Sequence, residues 1–206
     1  MRRILLAAAL LTTFAAPAWP AQKDAALDEM QRSFTLDKKP VPPEVFADFG
    51  DSDLADSSQS IRVTIDLRQA IGSNLYADDI TLGQNGWISQ QKKVNDGSQT
   101  LTETTSYKYV GVAKNGLLVV IATYSGGGSG DFVTLHILDA AVAHAFDSDG
   151  KRYDRLNLTV LRNMPLGDRW DGSVTISGNT ITIVTDRSGP NSGKAPTQHI
   201  EAIRPN

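Results

Sequence analysis

The sequence predicts a mainly β fold, an antiparallel β-sandwich or barrel-like domain over residues 60–206. Three observations predict this fold. From residue 60 onward apolar and polar residues alternate with a period of two, the alternating runs are rich in β-branched and aromatic residues, and short turn signals separate the runs. Two segments of different texture, residues 1–21 and residues 22–59, precede this domain.

Residues 1–21 have the layout of a secretory signal peptide. A basic start, Met1-Arg2-Arg3, precedes an apolar block over residues 4–16 and a small-residue segment that ends at Ala21. The apolar block has about thirteen residues, whereas a membrane-spanning helix needs roughly 20. Cleavage after Ala18 and cleavage after Ala21 both fit this segment, and we expect export to the periplasm.

The chain contains no cysteine and is mildly acidic. A lipoprotein anchor requires a cysteine at the cleavage site, so we expect no stable membrane anchor after signal cleavage. Disulfides are not needed, because domains of this size bury roughly 70% of their surface. Removal of Arg2 and Arg3 with the leader changes the formal charge from −3 to −5. Nucleic-acid binding is therefore disfavoured, since it requires Lys and Arg to neutralise phosphates.

Residues 22–59 predict a flexible, partly helical arm or linker. An amphipathic helix is expected within residues 22–34, with one apolar face formed by Ala26, Leu27, Met30 and Phe34. The prolines within residues 40–43 then interrupt regular structure, because proline fixes φ and removes a hydrogen-bond donor. The acidic stretch over residues 48–56 is either a solvated linker or a calcium site, although its spacing is not that of an EF-hand loop.

The alternating pattern predicts eight strands, at residues 61–67, 87–91, 101–112, 117–124, 132–138, 156–161, 173–176 and 180–185. Asn115-Gly116 and Gly178-Asn179 predict two tight hairpins, because both pairs tolerate the positive φ of such turns. Asp96-Gly97 and Asp149-Gly150 are further turn candidates, so antiparallel pairing is expected. A helical turn is the alternative for residues 67–70.

A glycine cluster, Gly126-Gly127-Gly128-Ser129-Gly130, lies between two strongly apolar predicted strands. Glycine enters positive φ freely and allows another backbone or a ring to approach closely, which predicts a strained bend or bulge. Successive backbone N–H groups can instead form a concave nest for phosphate or carboxylate. A phosphate-binding loop would open a helix and end in Gly-Lys-Ser/Thr, whereas this cluster opens a strand and has no lysine beside it.

A second motif, Leu166-Gly167-Asp168-Arg169, follows the apolar strand after the glycine cluster. This order of Ser-Gly-Gly-Gly-Ser-Gly, strand, Leu-Gly-Asp-Arg and a strand–turn–strand pair resembles a family of uncharacterised bacterial exported domains, the LppP/LprE-like lipoproteins among them. The resemblance covers residues 107–186 and implies no activity. This chain departs from the family in having no lipid-attachment cysteine and no later cysteines, so neither an anchor nor a disulfide is carried over.

The two motifs supply the candidate ligand-binding residues: Gly126, Gly127, Gly128, Ser129, Gly130, Asp131, Asp168 and Arg169. Asp168 can cap a turn through backbone N–H groups, and Arg169 can bridge carbonyls or pair with an aspartate, which would lock the turn. In the ligand-binding interpretation, Arg169 meets the glycine turn and supplies the positive charge for a small carboxylate or phosphate.

A hydrolase that uses Ser129, Asp131 and His136 is the alternative function. The flanks of the glycine cluster are predicted strands, so they do not form the strand-to-helix turn of a nucleophile elbow. His136 shares a strand face with Phe132 and Leu138, which favours a partly buried residue over a catalytic base. No cysteine is present to complete a zinc site with His144. The segment Asp147-Ser148-Asp149-Gly150 is interpreted as a hairpin turn rather than a calcium loop.

We therefore expect a non-enzymatic binding or interaction module without a cofactor. Its partner would be an unknown envelope protein, an envelope polymer or a small anion. A purely structural role for both motifs is a third hypothesis, and it predicts that the motifs are buried and in contact. Under that hypothesis Gly128→Ala reduces stability if φ is positive at Gly128.

Overall fold

A computed structural model of the chain describes residues 24–49, 63–72, 80–95, 97, 99–185 and 197–202. The predicted signal peptide and most of the acidic stretch over residues 48–56 lie outside these residues. The helices are α1 (Ala25–Ser33), α2 (Val45–Asp48) and α3 (Leu67–Gly72). The strands are β1 (Thr35–Leu36), β2 (Lys39–Pro40), β3 (Thr64–Asp66), β4 (Ile80–Leu82), β5 (Trp87–Asn95), β6 (Thr100–Val112), β7 (Leu118–Ser125), β8 (Phe132–Phe146), β9 (Arg152–Asp168), β10 (Ser173–Ser177), β11 (Thr180–Val184) and β12 (Thr197–Glu201).

The fold is mainly β with antiparallel sheets, as the sequence predicts, and its architecture is that of a β-sandwich. A seven-stranded sheet has the order β3-β9-β8-β7-β6-β5-β4, and a three-stranded sheet has the order β10-β11-β12. From β4 to β9, each strand pairs with the next strand in the sequence. Short connections produce this order, because antiparallel neighbours need only a hairpin between them.

Two of the hairpin predictions are confirmed and the two turns contact each other. Gly116 and Gly178 both adopt positive φ, at 86° and 62°. The backbone N–H of Lys114 donates to the Gly178 carbonyl at 2.9 Å, and the Asn115 N–H donates to the Asn179 side chain at 3.0 Å. These contacts join one end of the large sheet to the small sheet.

The predicted first strand, residues 61–67, requires a correction. Within the described residues the strand spans only Thr64–Asp66, and the chain becomes helical at Leu67. The helical alternative for residues 67–70 is therefore confirmed. The side chain of Asp66 accepts from the backbone N–H groups of Arg68 and Gln69, which satisfies donors at the start of the helix.

The small sheet covers one face of the large sheet. Side chains from both sheets form one apolar cluster that includes Leu117, Val119, Ile121, Val133, Leu135, Ile137, Ile181, Ile183 and Ile200. Alternate residues of β7 and β8 enter this cluster, as expected when successive side chains of a strand point to opposite faces. Burial of this apolar area stabilises the packing of the two sheets.

The N-terminal segment, which we define as residues 24–49, covers the other face of the large sheet. Its side chains in the second core cluster are Met30, Phe34, Leu36, Val41, Val45, Phe46 and Phe49. The Tyr109 hydroxyl donates to the Gln31 carbonyl at 2.7 Å and so joins α1 to β6. The interpretation of residues 22–59 as a flexible arm is therefore corrected for this segment, because its apolar side chains are buried in the core.

Strand β7 lies between the two core clusters. Five consecutive residues, 118–122, are buried, and they alternate between the cluster under the N-terminal segment and the cluster under the small sheet. A strand that is covered on both faces has a continuous apolar sequence rather than an alternating one. Across the described part of the chain, none of the helices has the length and apolar character required to span a bilayer.

Candidate functional site

The glycine cluster forms the loop between β7 and β8. Tyr124 pairs with Phe132 at the last position of the antiparallel ladder, so the intervening residues connect two neighbouring strands. A bend between strands is therefore present, and the helix that a phosphate-binding loop would open is not. Gly127 has φ of +83°, which a residue with a side chain rarely adopts.

Close backbone contact explains the glycine at position 127. A Cβ atom there would lie 3.1 Å from the Thr102 carbonyl oxygen and 3.2 Å from the Leu101 Cβ atom, because the loop folds back onto the start of β6. Gly128 differs, since its φ is not positive and a Cβ atom would meet nothing within 4 Å. The conditional prediction for Gly128→Ala therefore does not apply, and Gly127 is the position that requires glycine.

The Leu-Gly-Asp-Arg motif contacts the glycine loop directly. The Asp131 N–H donates to an Asp168 carboxylate oxygen at 2.8 Å, and the Arg169 N–H donates to the Asp131 carbonyl at 2.7 Å. The Arg169 guanidinium donates to the Ser129 carbonyl. Asp168 pairs with Phe132 across β8 and β9, which brings together two motifs that are distant in sequence. The predicted contact between Arg169 and the glycine turn is therefore present.

In these contacts the charged side chains bond to the backbone of the loop. The Asp168 carboxylate accepts from the Asp131 N–H, and the Arg169 guanidinium donates to the Ser129 carbonyl. All four residues, Ser129, Asp131, Asp168 and Arg169, are exposed to solvent. The arrangement locks the turn at the surface, whereas the purely structural hypothesis predicts that both motifs are buried.

His136 is buried and does not contact the other residues of the hydrolase hypothesis. It is 2% exposed, and its Nδ1 atom lies 2.7 Å from the Asn163 side-chain oxygen. Its ring packs against Phe46 at a centroid distance of 5.2 Å. Burial lowers the pKa of His136 to about 4, with a smaller opposing effect from the Asn163 hydrogen bond. Ser129 and Asp131 lie in the exposed loop, where their backbone carbonyl and N–H bond to the side chains of Arg169 and Asp168.

A cleft of about 590 Å³ opens beside the glycine loop, on the face of the large sheet that the N-terminal segment covers. Its lining residues come from α2 and from strands β6, β7, β8 and β9, and they include Phe46, Glu103, Thr105, Tyr124, Phe132, Thr134, His136 and Pro165. We call this space the loop cleft. Its volume is in the range of ligand pockets in proteins.

Two exposed aromatic side chains border the loop cleft. Tyr124 is 40% exposed and Phe132 is 59% exposed, and the two residues pair directly across β7 and β8. The sequence predicts neither this cleft nor the exposure of the two rings. Their position beside the glycine cluster was the available signal, because the last pair before a loop is the place where a strand leaves the core.

The loop cleft has an acidic border. Burial raises the pKa of Tyr124, and a hydrogen bond to Glu103 and the negative charge of Glu103 raise it further. The Tyr124 hydroxyl thus donates to the Glu103 carboxylate. Among the described residues that line the cleft there is no lysine or arginine.

Among the described residues, no group of three or more His, Asp or Glu side chains is arranged to hold a metal ion. The Asp147 carboxylate accepts from the backbone N–H groups of Asp149 and Lys151 at 3.0 and 2.8 Å, which confirms a hairpin turn at this position. His144 bonds instead to Asp154 at 2.6 Å across β8 and β9.

Comparison with known proteins finds no matching family model, no matching curated protein and no matching solved structure. The resemblance to the LppP/LprE-like family remains a prediction.

Proposed function

We propose that this chain is an exported, non-enzymatic binding module of the periplasm, and that a neutral, sugar-containing envelope polymer binds in its loop cleft. The layout of residues 1–21 supports export. The observation that carries the binding proposal is the pair of exposed aromatic rings, Tyr124 and Phe132, at the border of a ligand-sized cleft.

The aromatic pair suits a ligand with a flat apolar face. Tyr124 and Phe132 are direct cross-strand neighbours, so their side chains project from the same face of the sheet. Large apolar side chains that are exposed together mark interaction sites more often than single exposed ones do. A sugar ring presents C–H groups on one face and hydroxyls at its edge, and an aromatic border beside polar groups matches both.

Polar groups lie directly behind the rings. Thr105 and Thr134 line the cleft. Thr105 pairs with Tyr124 of β7, and Thr134 pairs with Ala122 of the same strand. Glu103 adds a carboxylate acceptor at the same border. Hydroxyl and carboxylate groups around an aromatic platform supply the directional hydrogen bonds that orient a ligand in a mostly apolar pocket.

The charges favour a neutral ligand over the small anion that the sequence left open. Glu103 is the one charged group among the described residues that line the cleft. Asp131, Asp168 and Arg169 lie outside that lining, where one cation accompanies two carboxylates. An anion that entered the cleft would meet the Glu103 carboxylate without a cation among the described lining residues to balance it, and this interaction is unfavourable.

The same geometry gives little support to the hydrolase alternative. Hydrolysis requires a nucleophile, a base and an orienting group that converge on one reacting atom. Ser129 and Asp131 lie in the exposed loop, while the buried His136 ring is covered by Phe46 and bonded to Asn163. A binding module tolerates this separation.

Co-sedimentation of the purified full-length protein with insoluble envelope polymer tests the proposal. Phe132 and Phe146 are both exposed residues of β8, near its opposite ends, and only Phe132 lines the loop cleft. We expect Phe132→Ala to weaken binding about tenfold or more, because the apolar stacking surface is lost, and Phe146→Ala to bind like the wild type. Equal binding by both variants, or no binding by the wild type, would contradict the proposal.

A further inference from the structure

A lysine occupies an apolar row on the inward face of the sandwich. Direct pairing places Trp87, Lys108, Ile121 and Leu135 side by side across strands β5, β6, β7 and β8. The other three members of the row belong to the core cluster beneath the small sheet. Directly paired residues share a sheet face, so Lys108 also points toward the small sheet. A cation in this position requires an explanation, since lysine is among the residues that are buried least often.

Lys108 lines a second cleft, which we call the inter-sheet cleft. It has a volume of about 490 Å³ and opens between the large and the small sheet. Its walls include the two tryptophans of the described chain, Trp87 and Trp170, together with the apolar residues Val110, Ile121, Val133 and Val174. Most of the described residues that line this cleft are therefore apolar, and Lys108 is the single cation among them.

Within the part of the chain that the structure describes, the ammonium group of Lys108 forms neither a hydrogen bond nor an ion pair. Asp171 also lines the inter-sheet cleft, but it is exposed at the solvent side, whereas Lys108 is half-buried in the middle of β6. The carboxylate of Asp171 is thus in a high-dielectric setting, where its effect on a ligand in the cleft is weak.

The Trp170 wall of the cleft is held in a fixed position. Its indole N–H donates to the Thr185 hydroxyl at 3.1 Å. Gly172 lies against the same ring, and a Cβ atom at that position would overlap both the indole and the Val184 carbonyl oxygen. A wall that is already ordered loses little entropy when a ligand binds to it.

We propose that the inter-sheet cleft binds an anionic amphiphile, a molecule with one carboxylate and an apolar chain. The carboxylate pairs with the Lys108 ammonium, and the chain lies against Trp87 and Trp170. A charge-assisted hydrogen bond in a partly apolar site is stronger than a neutral one, so Lys108 supplies the selectivity for a negative headgroup. This site lies on the opposite face of the large sheet from the loop cleft and does not depend on the proposed glycan binding.

A lysine that merely extends its ammonium to solvent along an apolar surface is the alternative explanation for the row. The two explanations predict different behaviour toward matched ligands. Under the alternative, an alkyl chain binds equally well with either headgroup charge, and Lys108 can lose its charge without consequence. Under the proposal, the sign of the headgroup determines binding.

Tryptophan fluorescence provides a direct measurement, because the chain has three tryptophans and the third, Trp19, lies in the predicted leader. In full-length protein carrying Trp19→Phe, all tryptophan emission comes from the inter-sheet cleft. We expect decanoate to change this emission saturably, and decyltrimethylammonium and acetate to change it far less. Lys108→Met, which keeps the apolar stem, should weaken decanoate binding about tenfold or more, while Lys108→Arg retains it.

Lys151→Met is the matched control, since Lys151 is an exposed lysine in the β8–β9 turn, outside the inter-sheet cleft. It should bind decanoate like the wild type. Asp171→Asn should bind decanoate slightly more tightly, by about twofold to threefold, because a weak repulsion is removed. Equal binding of decanoate and decyltrimethylammonium, unchanged binding in a folded Lys108→Met protein, or no saturable change with decanoate would each overturn the proposal.

Discussion

Single glycines within one cluster have different physical roles. Gly127 combines a φ of +83° with close contact to the Thr102 carbonyl, whereas Gly128 has neither feature. A Cβ atom added at Gly130 would lie 3.2 Å from the Phe132 ring, so glycine at this position lets the ring approach the loop backbone closely. Composition alone indicates that glycine is needed in this loop, but it does not indicate which glycine.

The pair Gly127→Ala and Gly128→Ala tests this distinction. We expect Gly127→Ala to lower the free energy of unfolding by about 1 to 3 kcal/mol, because alanine is strained at positive φ and its Cβ atom meets the β6 backbone. Gly128→Ala should be neutral or slightly stabilising, since it restricts the unfolded chain without a clash. Chemical denaturation of both variants measures the difference. Equal losses in the two variants would show that the loop conformation is not the one described.

At the scale of the secondary-structure element, the sequence predicts strands well where apolar and polar residues clearly alternate. Strands β6 and β7 and the hairpin turns at Gly116 and Gly178 agree closely with expectation. The second half of β8, residues 139–146, was not predicted as strand. It is rich in alanine, which has little preference for strands, and it is extended because it pairs with β9 along its whole length.

The sequence also does not predict the length of β9 or the contact between the glycine loop and the end of that strand. The pairing of β8 with β9 shifts at two points, between Val133 and Thr134 and between Ile137 and Leu138. Each shift inserts an extra residue into one strand. The resulting register places Asp168 opposite Phe132, and no local signal in the sequence specifies a register that depends on two bulges.

The N-terminal segment was misinterpreted as an arm because its prolines and lysines resemble a linker. Its attachment to the sheet includes a polar connection that only the tertiary structure creates. Asn163 lies between the His136 ring and the Phe49 carbonyl, and its side-chain N–H donates to that carbonyl at 2.6 Å. Through Asn163, His136 thus connects the sheet to the end of the segment.

The burial of His136 predicts acid sensitivity. The usual pKa of histidine is 6.5 and burial lowers that of His136 to about 4, so the unfolded chain binds a proton before the folded chain does as the pH falls. The contribution of His136 to stability is complete above pH 6.5 and decreases between pH 6.5 and about 4, by at most about 3 kcal/mol. Unfolding free energies measured across this range give the slope.

His136→Gln should reduce that slope, because glutamine keeps a hydrogen-bonding side chain but does not titrate. His199→Gln is the matched control, since His199 is exposed and its ring bonds to the neutral Thr182 hydroxyl. It should leave the slope almost unchanged. If His136→Gln retains the pH dependence of the wild type, the histidine is not buried in neutral form.

At the scale of the whole molecule, the large sheet is the middle of three layers. The N-terminal segment covers one face and the small sheet covers the other, and a cleft remains open on each face. Both clefts combine residues from four or more elements, so neither could be predicted from a local motif. The two sequence motifs contact each other and lock the turn beside the loop cleft. They are the glycine cluster and Leu-Gly-Asp-Arg.

In-cell photo-crosslinking from two positions of β8 tests directly whether envelope polymer binds in the loop cleft. Thr134 lines the loop cleft, and His144 lies on the same strand and the same face, exposed and outside the cleft. A photoreactive residue is placed at either position of the full-length protein. If the glycan-binding proposal is correct, envelope polymer forms adducts at position 134 and not at position 144. Equal adducts from both positions, or adducts from position 144 alone, would contradict it.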